Sequence, residues 1–240
     1  MQKNKLLVVA LGALFALPAL AQEAAVTQHK EGIHVIPESA HTVTSNVSLM
    51  SNFVWRGISQ TSDKPAIQGG FDYGHASGVY AGIWGSNVTT AYGNVELDTY
   101  FGFKSSFATD FSYDVGFVRY IYPGEYGTDA KLDTNELYGS IGWKWLSAKY
   151  SRSPTDWFAK PDSSGSSYIE LNGSYTLEEP GVTLGAHYGK QTVSGAPDTV
   201  SDYNLKASKD FSGYVLGVLI SKTNIDGDAT NGVLSVSRSF

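Results

Sequence analysis

The sequence predicts an all-β fold, a transmembrane antiparallel up-and-down β-barrel of about twelve strands, and three observations predict it. Apolar and polar residues alternate with period two from Thr42 to Phe240, the mark of strands with one apolar and one polar face. The connections between those runs alternate between short and long along the whole chain. The one long apolar run lies at the start, and no later stretch is apolar enough for a membrane-spanning helix, so a spanning chain crosses as a closed barrel.

At the N-terminus, Lys3 and Lys5 precede the apolar run Leu6 to Leu17, followed by Pro18 and the small-residue ending Ala19-Leu20-Ala21. This order predicts a secretory signal peptide over 1–21, cleaved after Ala21. Its loss removes two lysines and no acid, so the mature chain is more acidic than the net −6 of the full sequence. An acidic chain lacks the basic footprint that nucleic acid requires. With no Cys among 240 residues, neither a disulfide framework nor a cysteine metal site is available.

Residues 22–41 are polar and aperiodic around Pro37 and read as a periplasmic tail. His29, His34 and His41 fall there, at spacings that match no compact ligand set, so no metal and no cofactor is expected. The barrel domain is expected over 42–240. In it, Val95, Leu97, Thr99, Phe101 and Phe103 alternate with Glu96, Asp98, Tyr100, Gly102 and Lys104, and Val182, Leu184, Ala186 and Tyr188 alternate with Thr183, Gly185, His187 and Gly189. Turn signals then mark strands at roughly 43–56, 66–74, 78–87, 94–104, 110–122, 134–144, 146–152, 167–177, 181–190, 200–210, 213–223 and 231–240. The weakest boundary is at Trp145; losing that hairpin leaves ten strands.

Connections after even-numbered strands are tight: His75 to Ser77, Ser105 to Thr109, Trp145, Glu178 to Pro180, and Phe211-Ser212. Most of those after odd-numbered strands are long and polar: Gly57 to Pro65, Pro123 to Asp133, Ser153 to Ser166, Gln191 to Thr199, and Asn224 to Thr230. Bacterial outer-membrane barrels sort their loops in this way, with an even strand count. Phe53, Trp55, Tyr120, Tyr122, Trp143, Trp145 and Tyr150 near strand ends read as aromatic girdles at the membrane boundary. The terminal Phe240, with Leu234 and Val236 at two-residue steps before it, resembles the assembly signal of outer-membrane proteins; Arg238 departs from that pattern.

The stretch Ser51-Asn52-Phe53-Val54-Trp55-Arg56-Gly57-Ile58-Ser59-Gln60 is followed by Pro65-Ala66-Ile67-Gln68-Gly69-Gly70-Phe71-Asp72-Tyr73. Next come Ser77-Gly78-Val79-Tyr80-Ala81-Gly82-Ile83-Trp84-Gly85-Ser86-Asn87-Val88 and Glu96-Leu97-Asp98-Thr99-Tyr100. These segments, with the Tyr122-Pro123-Gly124 turn, resemble the proteobacterial family called Gcw_chp, also described as TorF-type porins. The motif-dense match covers about 51–104; the remainder agrees in length and layout. The resemblance implies an outer-membrane protein with a pore function, and it names neither a substrate nor binding residues.

If the apolar positions face lipid, the alternate positions face the lumen. Pore-lining candidates are then Asn52, Arg56, Gln68, Asp72, Glu96 and Asp98 on the first four strands, and Asp114, Glu136, Lys144, Lys149, Glu170 and His187 on later ones. A charge facing lipid at mid-depth costs about 2–4 kcal/mol, which favours the inward direction. Such groups either tune ion selectivity or form ion pairs that plug a narrow barrel. Arg56 with Asp72, Glu96 or Asp98 fits both, and an open lumen with more acids than bases predicts a modest cation preference. A Ser–His mechanism would have only His75 and His187 as bases within the barrel, and no catalytic site is expected. Asn224, Asp226 and Asp228 outline a Ca²⁺ loop, but Ala229 occupies the glycine position and no bidentate Glu closes it.

The expected protein is an outer-membrane channel of a Gram-negative bacterium that passes small polar solutes or ions. Its partners are outer-membrane lipid and, during biogenesis, periplasmic chaperones and the barrel-assembly machinery. A plugged barrel acting through its external loops is the first alternative, and a lipid-modifying barrel enzyme the second. The loops 123–133 and 153–166 are candidates to fold into the lumen or to stand outside it.

Overall fold

The structure is a computed structural model that describes residues 39–124 and 132–240. The expected signal peptide, His29 and His34 lie outside the described residues. The strands are β1 (His41–Met50), β2 (Val54–Trp55), β3 (Ile58–Ser59), β4 (Ala66–His75), β5 (Val79–Asn87), β6 (Val95–Ala108) and β7 (Phe111–Ile121). Then follow β8 (Thr134–Trp143), β9 (Leu146–Arg152), β10 (Ser167–Leu177), β11 (Val182–Thr192), β12 (Thr199–Phe211), β13 (Tyr214–Thr223) and β14 (Asn231–Ser239). All except β2 and β3 join one closed antiparallel barrel, with each strand paired to its neighbours in the chain and β1 closing on β14. These are the twelve wall strands read from the sequence, and the hairpin at Trp145 is present, with Lys144-Trp145 as its turn. Phe240 is tied to the first strand, its N–H donating to the Ser45 carbonyl at 2.8 Å and its carbonyl accepting from Ser45 N–H at 3.0 Å.

The two faces sort as the alternation requires. On β11, Leu184, Ala186 and Tyr188 are exposed on the outer wall, while Gly185, Gly189 and Gln191 are buried within. Around the circumference Val43, Phe71, Phe101, Ile169, Leu205 and Leu234 stand outward, Leu205 at 67% exposure. A continuous apolar band of this kind is not tolerated in water but is the outer surface of a barrel in lipid.

The first strand departs from expectation. It ends at Met50 rather than at 56, and residues 51–65 leave the wall as a loop that carries the small β2–β3 hairpin. The physical reason lies in Phe53 and Val54, adjacent and both buried at 0% and 3%, an arrangement that a wall strand with one lipid face cannot provide. The hairpin turn is Arg56-Gly57, both left-handed at φ 46 and 81, as two-residue hairpin turns need. A Cβ on Gly57 would stand 2.5 Å from Thr223 Cγ2 and 2.8 Å from Asp202 Cβ, so only glycine lets the tip approach β12 and β13 this closely. His41, expected at the end of the tail, is the first residue of β1, and its Nδ1 lies 2.7 Å from the Tyr73 hydroxyl.

Two groups of the expected girdle residues therefore separate. Trp143, Trp145 and Tyr150 are exposed on the outer wall at 43%, 51% and 49%. Phe53, Tyr120 and Tyr122 are instead buried inside, and Trp55 packs against that interior cluster. In the wall pleat Tyr120 and Tyr122 share the parity of Val118, which points inward; position near a strand end does not decide the face.

Candidate functional site: the lumen and its constriction

Loop 51–65 crosses the interior, as its contacts on nearly every side of the barrel establish. Phe53 meets Trp84 of β5 edge-on at 5.6 Å, and Trp55 meets Tyr120 of β7 at 5.7 Å. Gly57 abuts β12 and β13, and its carbonyl accepts from Asn231 Nδ2 of β14 at 3.0 Å. Asn52 organises the loop from within: Ser59 and Thr61 hydroxyls donate to its Oδ1 at 2.7 and 3.0 Å, while its Nδ2 donates to Asp63 at 2.8 Å.

Arg56 fastens the loop to the far wall. Its two guanidinium nitrogens donate in parallel to the Glu136 carboxylate of β8 at 2.9 and 2.8 Å, and one also reaches Gln191 of β11 at 2.7 Å. The guanidinium plane lies between two rings, 4.2 Å from Trp55 and 4.0 Å from Tyr168 of β10. The pair is nearly dry, with side chains only 10% and 4% exposed. A bidentate, stacked arrangement of this kind is one that Lys cannot reproduce. Loop 153–166 adds a lid: Phe158 packs on Trp55, Tyr120 and Tyr122 at 5.4, 5.6 and 6.0 Å, and its N–H donates to the Thr134 hydroxyl at 2.7 Å.

Asn52 and Arg56, expected on a wall strand, thus sit inside the barrel on the inserted loop, because the wall ends at Met50. Gln68, Asp72, Glu96, Asp98, Asp114, Glu136, Lys149, Glu170 and His187 occupy inward positions of the wall. Lys144 does not. It sits in the β8–β9 turn at φ 53, half exposed and 3.9 Å from Asp110, because the tight turn starts one residue earlier than the expected strand end.

Most inward acids are held by tyrosine hydroxyls. Tyr100 donates to Asp72 at 2.5 Å, Tyr80 to Asp114 at 2.6 Å, Tyr122 to Glu96 at 2.8 Å and Tyr168 to Asp202 at 2.8 Å. Lys149 pairs with Glu170 at 3.8 Å and lies over the Tyr138 ring at 4.2 Å. His187 contacts Asn172 at 2.7 Å through Nδ1, and Tyr168 and Asp202 at 2.9 and 3.0 Å through Nε2, so no serine is among its described partners. Asp98 is different. It is 3% exposed, lies in the field of Glu96 and Glu136, and its Oδ1 has no hydrogen-bond partner in the protein. The groups near Asn224 form no metal-holding cluster among the described residues.

The tyrosines, Asp202, Lys104 and Lys206 were not among the candidates read from sequence. A signal for the tyrosines does exist: Tyr80, Tyr100 and Tyr138 each stand directly across from an inward glycine, at Gly102, Gly82 and Gly116. The ring lies over the bare backbone of its neighbour strand, which places it inside the barrel.

A closed antiparallel barrel, apolar outside and charged within, with its first long loop laid across the interior, defines a porin-type barrel. Within that class the chain belongs to the Gcw_chp family, described as a bacterial protein of unknown function, whose model matches residues 34–240. Among solved structures, a KdgM porin superposes with a TM-score of 0.56 at 13% identity, over 82% of this chain and 99% of that one. OccK5 (OpdH) of Pseudomonas aeruginosa gives a TM-score of 0.41 at 16% identity, over 81% of this chain and 62% of that one. At 13% identity the likeness to the KdgM porin is one of fold. No curated protein matches the chain.

Proposed function

We propose that the chain is a channel of the Gram-negative outer membrane, passing small polar solutes or ions and preferring cations. It would sit with both barrel-strand termini at the periplasmic side and the long loops outside, after export and insertion by the barrel-assembly machinery. The observation that carries the reading is Asp98: a buried acid near two further acids, with one oxygen unpaired by the protein. Buried charge is normally compensated; here the compensation would come from mobile cations or water in a conducting path. The wider interior supports the sign: among the described residues, the inward wall positions carry Asp72, Glu96, Asp114, Glu136, Glu170 and Asp202 against Lys104, Lys149 and Lys206, with Arg56 added by the inserted loop. Single-channel recording of refolded protein under a salt gradient tests this. Discrete openings with a cation-directed reversal potential are expected; an anion-directed potential overturns the selectivity.

A second reading draws on a specific observation. Phe53, Val54, Trp55 and Phe158 fill the long-loop end with apolar side chains, as a plug would. In that reading the barrel acts through its loops. A variant with 52–61 replaced by a short Gly-Ser linker separates the two. If intact protein is silent and the variant conducts, the loop is the plug; if the intact protein conducts, the plug reading fails.

A further inference from the structure

On the wall strands acids are confined to one face, whereas cations occur on both. Among the described residues, every Asp and Glu on a wall strand takes an inward position, whereas Arg119, Arg152, Lys190, Lys209, Lys222 and Arg238 take outward ones. The outer wall therefore carries cations and no acids, although the chain as a whole is acidic.

The two ends treat these cations differently. At the short-turn end they are capped by aromatic rings: Lys209 lies 5.4 Å from the Phe211 ring, and Arg238 lies 4.6 and 5.1 Å from Tyr214 and Phe240. At the long-loop end Arg119, Arg152, Lys190 and Lys222 stand on β7, β9, β11 and β13, four alternate strands along one side of the barrel. Arg119 has Asp133 at 3.2 Å, but Arg152, Lys190 and Lys222 are exposed, with no ion pair or ring contact among the described residues. The strands between them offer neutral polar neighbours: Asn135 opposite Arg119, Ser167 opposite Arg152 and Ser201 opposite Lys190. Immediately below, on the outer wall, come the half-exposed rings of Tyr150, Tyr188 and Tyr203. Tyrosines of this kind mark the membrane–water boundary, so the arc of cations stands at headgroup height, just beyond it. The rest of the circumference, β14, β1, β4, β5 and β6, has no outward charged residue on the strands at that end.

We propose that Arg152, Lys190 and Lys222, with Arg119 at one flank, form a docking surface for the phosphate groups of a polyphosphorylated glycolipid in the leaflet at the long-loop end. The inference rests on the outer-membrane orientation proposed above. An arc confined to one side, with serines and tyrosines interleaved, offers both charge for phosphates and hydroxyls for sugar. Outward acids would repel such a lipid, and there are none on these strands.

The test uses the folded full barrel in zwitterionic detergent, titrated with rough lipopolysaccharide, the same lipid after dephosphorylation, and phosphatidylglycerol. Each basic residue near an anionic surface contributes about a fivefold gain in affinity, so the triple variant R152Q/K190Q/K222Q is expected to bind lipopolysaccharide about a hundredfold more weakly. The double variant K209Q/R238Q is expected to bind as the parent does. Equal binding of phosphorylated and dephosphorylated lipid, or unchanged binding by the triple variant, overturns the proposal, and phosphatidylglycerol competing on equal terms overturns the choice of glycolipid. Retained heat-modifiable gel migration certifies folding. If the triple variant does not fold, K190Q and K222Q are measured singly, each expected to weaken binding about fivefold. Conductance plays no part in the readout, so a barrel that binds lipid and conducts nothing sinks the channel reading alone.

Discussion

The long-loop half of the barrel interior is filled by side chains the wall does not supply, Phe53, Trp55, Arg56 and Phe158, whereas the short-turn half is lined, among the described residues, by the wall. In the first half Glu96, Asp98 and Glu136 are 2%, 3% and 3% exposed. In the second, the inward positions Ser106, Ser112, Thr176 and Asp210 are open to water. The same twelve strands enclose both halves, so the difference lies in what the inserted loop adds. One residue, Arg56, reaches Glu136, Gln191 and Tyr168 on three different strands to hold that loop.

The largest effect is therefore expected from the loop. Replacing 52–61 by a Gly-Ser linker should raise single-channel conductance several-fold, while heat-modifiable migration shows an intact wall. An unchanged conductance would move the constriction elsewhere and dissolve the contrast between the halves. Next in size is Arg56→Ala, which strands Glu136 without its partner. Breaking a buried pair on one side costs about 3–5 kcal/mol. That cost is expected to release the loop, read as new proteolytic cleavage within 51–65 and enhanced conductance. Arg56→Lys should fall between, since an ammonium cannot repeat the bidentate and stacked contacts.

A smaller effect tests the charge of the filled half. Asp98→Asn keeps size and removes one acid that no protein hydrogen bond compensates at Oδ1. Cation-over-anion permeability should fall by about twofold, with conductance in high salt almost unchanged. The equivalent change at Asp114, in contact with Tyr80 on the other half, should move the reversal potential less, because that acid is more open to water and screening salt.

What the sequence makes legible follows the same division. The wall is: period two, loop parity and the turn residues place the twelve wall strands, overrunning the end of the first by six residues, and the hairpin at Trp145 is present at the tight turn. The interior was only half legible. Parity assigned Glu96, Asp98, Asp114, Glu136 and Glu170 to the inward face, because alternation is a local property of the backbone. It could not assign Arg56 to Glu136, since these lie 80 residues apart and meet only when the loop folds back across the lumen. The run Phe53-Val54-Trp55 carried the warning, three apolar residues in succession where a wall strand needs alternation. Tyr120 and Tyr122 misled for the opposite reason. A tyrosine near a strand end suits the membrane boundary, yet these two sit at inward parity and serve Glu136 and Glu96.

The finest distinction concerns the tyrosines between the two halves. Tyr80, Tyr100 and Tyr138 project inward at mid-barrel, and Tyr80 and Tyr138 share a hydrogen bond. They offer a rival site of constriction. A Cβ added at Gly116 would stand 2.5 Å from the Tyr138 hydroxyl oxygen and 2.9 Å from the Phe101 carbonyl, whereas one at Gly74 would meet nothing within 4 Å. Gly116→Ala is accordingly expected to cost about 1–3 kcal/mol in urea unfolding, as overpacking does, and Gly74→Ala close to nothing. If the loop sets the aperture, Gly116→Ala displaces the Tyr138 ring and leaves conductance near that of the parent. If conductance instead changes as much as on loop replacement, the tyrosines are the gate, and the inserted loop is a brace for the wall around them.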